Sequence, residues 1–148
     1  MIYIQQLLIN IVKLFSDREK CGKRKDVIMD GNMGEKIAAK YLEERGYNIS
    51  GRNYHSRYGE IDIIAEKGEY IVFVEVKARS QNFAGLAREA VDLRKQKKII
   101  KTALMYLSQS EKKAQPRFDV VEVNQIGREY SVNHIENAFD LRGYDEAF

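Results

Sequence analysis

Ile71-Val72-Phe73-Val74-Glu75-Val76-Lys77-Ala78 is the most hydrophobic stretch of the chain, and it carries two charges. Its unbroken β-branched and aromatic residues lie between Lys67-Gly68-Glu69 and Arg79-Ser80-Gln81-Asn82, a pattern that predicts a central strand covered on both faces. Glu75 and Lys77 are two residues apart and so point the same way. An unpaired charge in such a place costs several kcal/mol, so it requires a partner, water in a cleft or a metal ion. A Glu75–Lys77 ion pair at a solvated strand end would meet that requirement without any chemistry.

The preceding run, Tyr58-Gly59-Glu60-Ile61-Asp62-Ile63-Ile64-Ala65, is also strand-like, with Glu60 and Asp62 alternating among apolar residues. Glu66-Lys67-Gly68-Glu69 suits a tight reversal, so the two runs are expected to form an antiparallel hairpin. A two- or four-residue loop puts Asp62 on the face of Glu75 and Lys77. A three-residue loop turns it away, because a one-residue slip reverses every side chain.

Two converging carboxylates repel unless a cation lies between them, and hard oxygen donors suit Mg²⁺ or Mn²⁺ over zinc. Such an ion lowers the pKa of bound water and neutralises phosphoryl charge. Lys77 alongside could orient the water or stabilise an anionic transition state. Phosphodiester hydrolysis uses all three groups.

Basic residues concentrate downstream. Residues 85–110 read as one long helix with apolar positions Leu86, Ala90, Leu93, Ile100, Leu104 and Leu107, Lys97 snorkelling from the apolar stripe, and Arg88, Arg94, Lys95, Lys98 and Lys101 on other faces. After Arg117 the chain turns acidic, with Asp119, Glu122, Glu129, Glu136, Asp140, Asp145 and Glu146. The net charge of +3 therefore conceals a polarised molecule. A solvated helix face accounts for many basic runs. Beside a phosphodiester site, Arg94, Lys95, Lys98 and Lys101 become candidate phosphate contacts, joined by Arg79 if the strand's alternation continues past Lys77. No conspicuous aromatic stacking motif marks a single-strand reader.

The remaining order is a helix over residues 32–46, strands over 47–54, 59–66 and 70–78, the basic helix, and strands over 118–124 and 130–135, the lone Pro116 standing at a strand entrance. This predicts an α/β domain, α-β-β-β-α-β-β, with a mixed central sheet flanked by helices. Asn32 with Glu35 has the spacing of a capping box. Glu35 also shares a helical face with Ala38, Ala39 and Leu42, the side that should meet the sheet. Glu60 is near the site by alternation, or bridges to Lys77 or an arginine.

These motifs, Gly34-Glu35 with Ala38-Ala39, Gly59-Glu60-Ile61-Asp62, Phe73-Val74-Glu75-Val76-Lys77-Ala78-Arg79 and Arg117-Phe118-Asp119-Val120-Val121, resemble the bacterial YraN-like family, uncharacterised protein family 0102. More broadly, the chain is similar to PD-(D/E)xK nucleases with the restriction-endonuclease-like fold, although Ile61 stands where that superfamily has proline. The resemblance runs from about Gly31 to Phe139 and implies kinship to archaeal Holliday-junction resolvases. It implies Asp62 and Glu75 as metal ligands, the Val76 carbonyl as a further one, Lys77 as the catalytic lysine and Glu35 as a helix-borne acid assisting the metal. Junction resolution would want a homodimer presenting two sites.

A chain of 148 residues, 44% hydrophobic, supports one nuclease-sized domain, here expected over residues 31–148. The one cysteine, Cys21, rules out an internal disulfide, and with two histidines it cannot build a usual structural zinc site; a reducing cytoplasm fits. Residues 1–30 read as an accessory segment: Ile4, Leu7, Leu8, Ile11 and Phe15 have helical spacing, followed by Lys20, Lys23, Arg24 and Lys25. That run is too short for a membrane span and lacks a basic n-region. A start at Met29 or Met33 is left open. Two function classes follow, a Mg²⁺- or Mn²⁺-dependent DNA endonuclease and a non-catalytic nucleic-acid-binding or interaction module that keeps the fold.

Overall fold

The computed structural model describes residues 29–80 and 91–142. Most of the expected N-terminal segment lies outside them, as do Leu86, Arg88, Ala90, Asp145 and Glu146. The order is helix α1 (Gly31–Glu43), strands β1 (Asn48–Ser56), β2 (Gly59–Lys67) and β3 (Tyr70–Arg79), helix α2 (Leu93–Ser108), and strands β4 (Gln115–Ile126) and β5 (Glu129–Phe139). The strands form one mixed sheet in sequence order, with β3 and β4 parallel and the other pairs antiparallel. Among the described residues, no helix is long and apolar enough to cross a membrane.

Each sheet face buries one helix, as the doubly hydrophobic β3 requires. Val72 and Val74 face Ala38, Ala39 and Leu42 of α1, whereas Ile71 and Phe73 face Ile99, Ile100 and Ala103 of α2. On the α2 side, Phe73, Phe118 and Phe139 stack with centroids 5.7 and 5.1 Å apart, and Tyr106 meets Phe73 edge-on. Truncating Phe118, only 2% exposed, to alanine would cost roughly 3–5 kcal/mol.

Both helix starts differ from the sequence reading. Asp30 caps α1, its Oδ1 accepting from Met33 N at 2.7 Å, so Asn32 is not the N-cap and Glu35 is too far into the helix to complete a capping box. Asp92 caps α2, its extended backbone breaking the expected long helix, with Lys95 N donating to Oδ1 at 2.9 Å. The stripe through Leu93, Ile100 and Leu107 assumed one helix on both sides of Asp92. In the fold Leu93 is 71% exposed, Leu104 is exposed, and Ile99, Ile100, Thr102 and Ala103 are buried. Lys97 is exposed.

The β2–β3 hairpin closes with Lys67 opposite Tyr70 around Gly68-Glu69, Gly68 supplying φ +59°. That two-residue loop is one of the two that bring Asp62 to the Glu75 face. Pairing between β2 and β3 extends only to Ile63 opposite Val74. Beyond it β2 stays with β1 down to Ser56 opposite Gly59, while β3 stays with β4 to Arg79 opposite Asn124. The sheet forks there.

Candidate functional site

Asp62 and Glu75 stand at the mouth of this fork. Asp62 Oδ2 accepts from Val76 N at 2.7 Å, replacing the next rung of the ladder. A residue's N–H and C=O point to the same neighbouring strand, so the Val76 carbonyl also faces the fork. Glu75 points to the α2 side, where Lys95 Nζ lies 3.4 Å from its Oε2. That ion pair falls short of hydrogen-bond geometry, and Oε2 is buried with no hydrogen-bond donor among the described residues. Ion pairing of Glu75 thus runs to the opposite helix and not solely to its strand neighbour Lys77.

The electrostatics follow from this crowding. Burial, then the charge of Asp62, pushes the Glu75 carboxyl up to about 7, against the opposing pull of Lys95 and Lys77. Burial also raises Asp62; the Val76 N–H and Lys95 work against that rise, and the charges of Glu35 and Glu60 add to it. Two carboxylates and a carbonyl are hard oxygen donors of the kind that hold Mg²⁺ or Mn²⁺. Among the described residues, however, no three His, Cys, Asp or Glu side chains gather as a ready-made metal cluster.

The other expected residues fall around this pair. Lys77 is partly buried on the Glu75 side of β3, and its charge acts on both Glu75 and the α2 cap Asp92. Strand β3 runs through Arg79, which keeps Arg79 on the same side. Glu35 reaches the site as a charge on Asp62, from a helix held against β3 at Gly34, where any Cβ would collide with Ala78. Glu60 lies against His55 of β1, its Oε2 3.5 Å from Nδ1. On α2, Arg94 and Lys98 are exposed and Lys101 is partly covered, while Lys95 turns inward.

A second polar cluster escaped the sequence reading. Asp119, fully buried, takes two bonds from Arg117 at 2.9 and 2.8 Å, one from His134 Nε2 at 2.8 Å and the Asn137 N–H at 2.9 Å. Burial pushes its carboxyl up, but these hydrogen bonds outweigh it and hold the group below its usual range. Arg117 also donates to the Tyr47 hydroxyl at 2.7 Å, which donates to Glu136 at 2.8 Å. The cluster locks β4 to β5 and, through Tyr47, to the connection between α1 and β1. The signal was available: a charge inside Phe118-Asp119-Val120-Val121 is the same anomaly as Glu75 in its own strand.

A mixed five-stranded sheet with a helix on each face and an acidic pair where two strands part defines a compact α/β domain with a carboxylate site. Residues 34–123 match the model of Uncharacterised protein family UPF0102, and the chain belongs to that family. It is 50% identical over 113 residues to a UPF0102 protein of Caldanaerobacter subterraneus subsp. tengcongensis, covering 74% of this chain and 93% of the relative. A UPF0102 protein of Alkaliphilus oremlandii is 46% identical over 112 residues, covering 74% and 96%. One of Clostridium botulinum strain Loch Maree is 46% identical over 115 residues, covering 75% and 94%. The family match spans Glu35, Asp62, Glu75, Lys77, the basic half of α2 and Asp119.

Proposed function

We propose that this chain is a metal-dependent endonuclease of the PD-(D/E)xK type, hydrolysing phosphodiester bonds in DNA, branched or junction DNA included. The observation that carries this reading is Glu75 Oε2, a buried carboxylate oxygen that has no hydrogen-bond donor among the described residues, with Lys95 Nζ 3.4 Å away, and whose carboxyl feels the charge of Asp62 at the fork. Mutual repulsion and an unsatisfied oxygen are what a bound divalent cation relieves. Asp62, Glu75 and the Val76 carbonyl would hold Mg²⁺ or Mn²⁺, with Glu35 adding negative charge from α1. When bound, that ion acidifies water and neutralises phosphoryl charge.

The chain's own groups supply the rest. Asp62 is oriented by the Val76 N–H, so its remaining oxygen has a set direction. Lys77, beside Glu75, is suited to orient the attacking water or stabilise the charge that builds as water adds to phosphorus and the ester P–O bond breaks. Arg79, Arg94, Lys98 and Lys101 offer backbone phosphate contacts, which position DNA without reading its sequence. Lys95, already on Glu75, neutralises the pair when no divalent ion is present.

A second reading, a nucleic-acid-binding module with a relict site, is favoured by one observation: no three-donor cluster is assembled among the described residues. Incubation with single-stranded, duplex, flapped and four-way-junction DNA, with and without Mg²⁺ or Mn²⁺, separates the two. The nuclease reading expects metal-dependent products that vanish in Glu75→Ala. Products that persist in Glu75→Ala count against it, and salt-sensitive DNA retention without product supports the module. A preference for junctions would further call for a homodimer with two sites, measurable by sedimentation.

A further inference from the structure

The turn joining β1 to β2 carries Arg57 and Tyr58, to which the proposed cleavage chemistry gives no role, beside lysines of α2. Tyr58, at its tip, is exposed. The Arg57 guanidinium lies 4.8 Å from the Tyr58 ring centroid and donates to the hydroxyl at 2.6 Å, and the Lys101 ammonium of α2 stands 5.9 Å from the same centroid. Next to this turn, against α2, is a cavity of about 270 Å³ lined by His55, Ser56, Gly59, Glu60, Lys95 and Lys98. Lys95 is the wall the cavity shares with Glu75.

The cavity falls just below the roughly 300–1,000 Å³ of drug-sized ligand sites, a scale suited to one nucleotide. Its polar groups are divided. The Glu60 carboxylate, 3.5 Å from His55, repels phosphate but accepts from the amino or ring N–H edge of a base. Lys95 and Lys98 attract the phosphate attached to such a base. The floor is fixed, because Ser56 Oγ and Thr102 Oγ1 are 3.0 Å apart and Gly59 lies so close to Lys98 that a Cβ there would stand 3.3 Å from the lysine Cβ. Tyr58 beside it offers a π-face with a guanidinium already in place. Lys101 is near the outer limit of cation–π contact, about 6 Å, and a stacking base could displace it. A base within a duplex has its edge paired and its faces stacked, so only an unpaired strand can use both features.

We propose that the β1–β2 turn and the facing half of α2 hold unpaired nucleotides beside the cleavage point, so that the substrate class is nucleic acid with a single-stranded segment there. The adjacency to a cleavage point rests on the nuclease reading; the binding does not. Affinities measured in EDTA, where metal-dependent cleavage cannot occur, test it with a fluorescein-labelled mixed-sequence single strand and its duplex at equal salt. The wild-type protein is expected to prefer the single strand. Tyr58→Ala should weaken single-strand binding about ten-fold and leave the duplex unchanged, whereas Tyr58→Phe keeps the ring and the affinity. Lys98→Ala should weaken both and lower the salt slope by about one. Melting temperatures matching wild type establish that the exposed-site variants are folded. A duplex preference, no binding to either probe, or a Tyr58→Ala protein with unaltered discrimination overturns the proposal, even if the Mg²⁺ panel gives cleavage. Conversely, Tyr58-dependent single-strand binding upholds it where that panel gives no product.

Discussion

Asp62 takes the Val76 backbone N–H with its own side chain at the point where β2 and β3 stop pairing. A carboxylate thereby stands in for a strand. The fork stays open, the Val76 N–H stays satisfied, and Asp62 is held beside Glu75 by main-chain geometry, independent of any long flexible partner.

Glu75 predicts a pH dependence of stability in metal-free buffer. Its carboxyl is held at about 7 against an ordinary 4.5, so between those values the native state binds a proton that the unfolded chain has released. Stability is therefore highest below that window and falls as pH rises through it, by at most about 3.5 kcal/mol at roughly 1.4 kcal/mol per pH unit. Glu75→Gln should flatten the slope. Urea denaturation of both proteins at about pH 5 and about pH 8 makes the comparison, and identical slopes would contradict the burial of Glu75 as described.

Asp62→Asn should preserve the fold and lose the ion. The amide oxygen can still accept from Val76 N, but a neutral side chain no longer offers the negative oxygen that a hard divalent cation needs. Wild-type protein is expected to gain melting temperature and bind Mg²⁺ or Mn²⁺ by calorimetry, and Asp62→Asn to do neither. Equal metal-induced stabilisation of the two proteins would remove Asp62 from the site.

Arg117→Ala should be among the most damaging substitutions in the chain. It leaves fully buried Asp119 with His134 and the Asn137 N–H as its remaining donors among the described residues and removes the donor to the Tyr47 hydroxyl. Breaking a buried pair from one side costs roughly 3–5 kcal/mol, a large share of the 5–15 kcal/mol that typically separates folded from unfolded protein. Denaturant titration reads the loss directly; a change under 1 kcal/mol would mean that the cluster is incidental.

Gly34→Ala tests how α1 positions Glu35. Alanine is the better helix former by about 1 kcal/mol, yet its Cβ would collide with the Ala78 Cβ on β3, and overpacking of this kind costs about 1–3 kcal/mol. A net loss is expected, with any nuclease activity falling as the helix is pushed off the strand. Adding Ala78→Gly should restore both, since it removes the opposing methyl. A single variant as stable as wild type would show that α1 has room to move.

The burial of β3 on both faces and the tight Gly68-Glu69 reversal were legible because strand period and loop parity are local properties; that Asp62 turns its carboxylate to the Val76 N–H where the pairing ends was not. The start of α2 was not. Leu93 fits a seven-residue apolar repeat with Ile100 and Leu107, and only the extended backbone at Asp92 takes it off the buried face. Glu35 presented two readings until Asp30 proved to be the cap.

Which side a residue faces is largely written in its neighbours along the chain, and to that extent the amino-acid order alone determined the five strands, the two covering helices and the two-sided burial of β3. Where the sheet forks, why Lys95 and not an outward lysine meets Glu75, and how Arg117, Asp119, His134 and Tyr47 become one buried cluster were decided only on folding. Each depends on contacts between segments far apart in sequence, and their balance of burial and pairing has no counterpart in local periodicity.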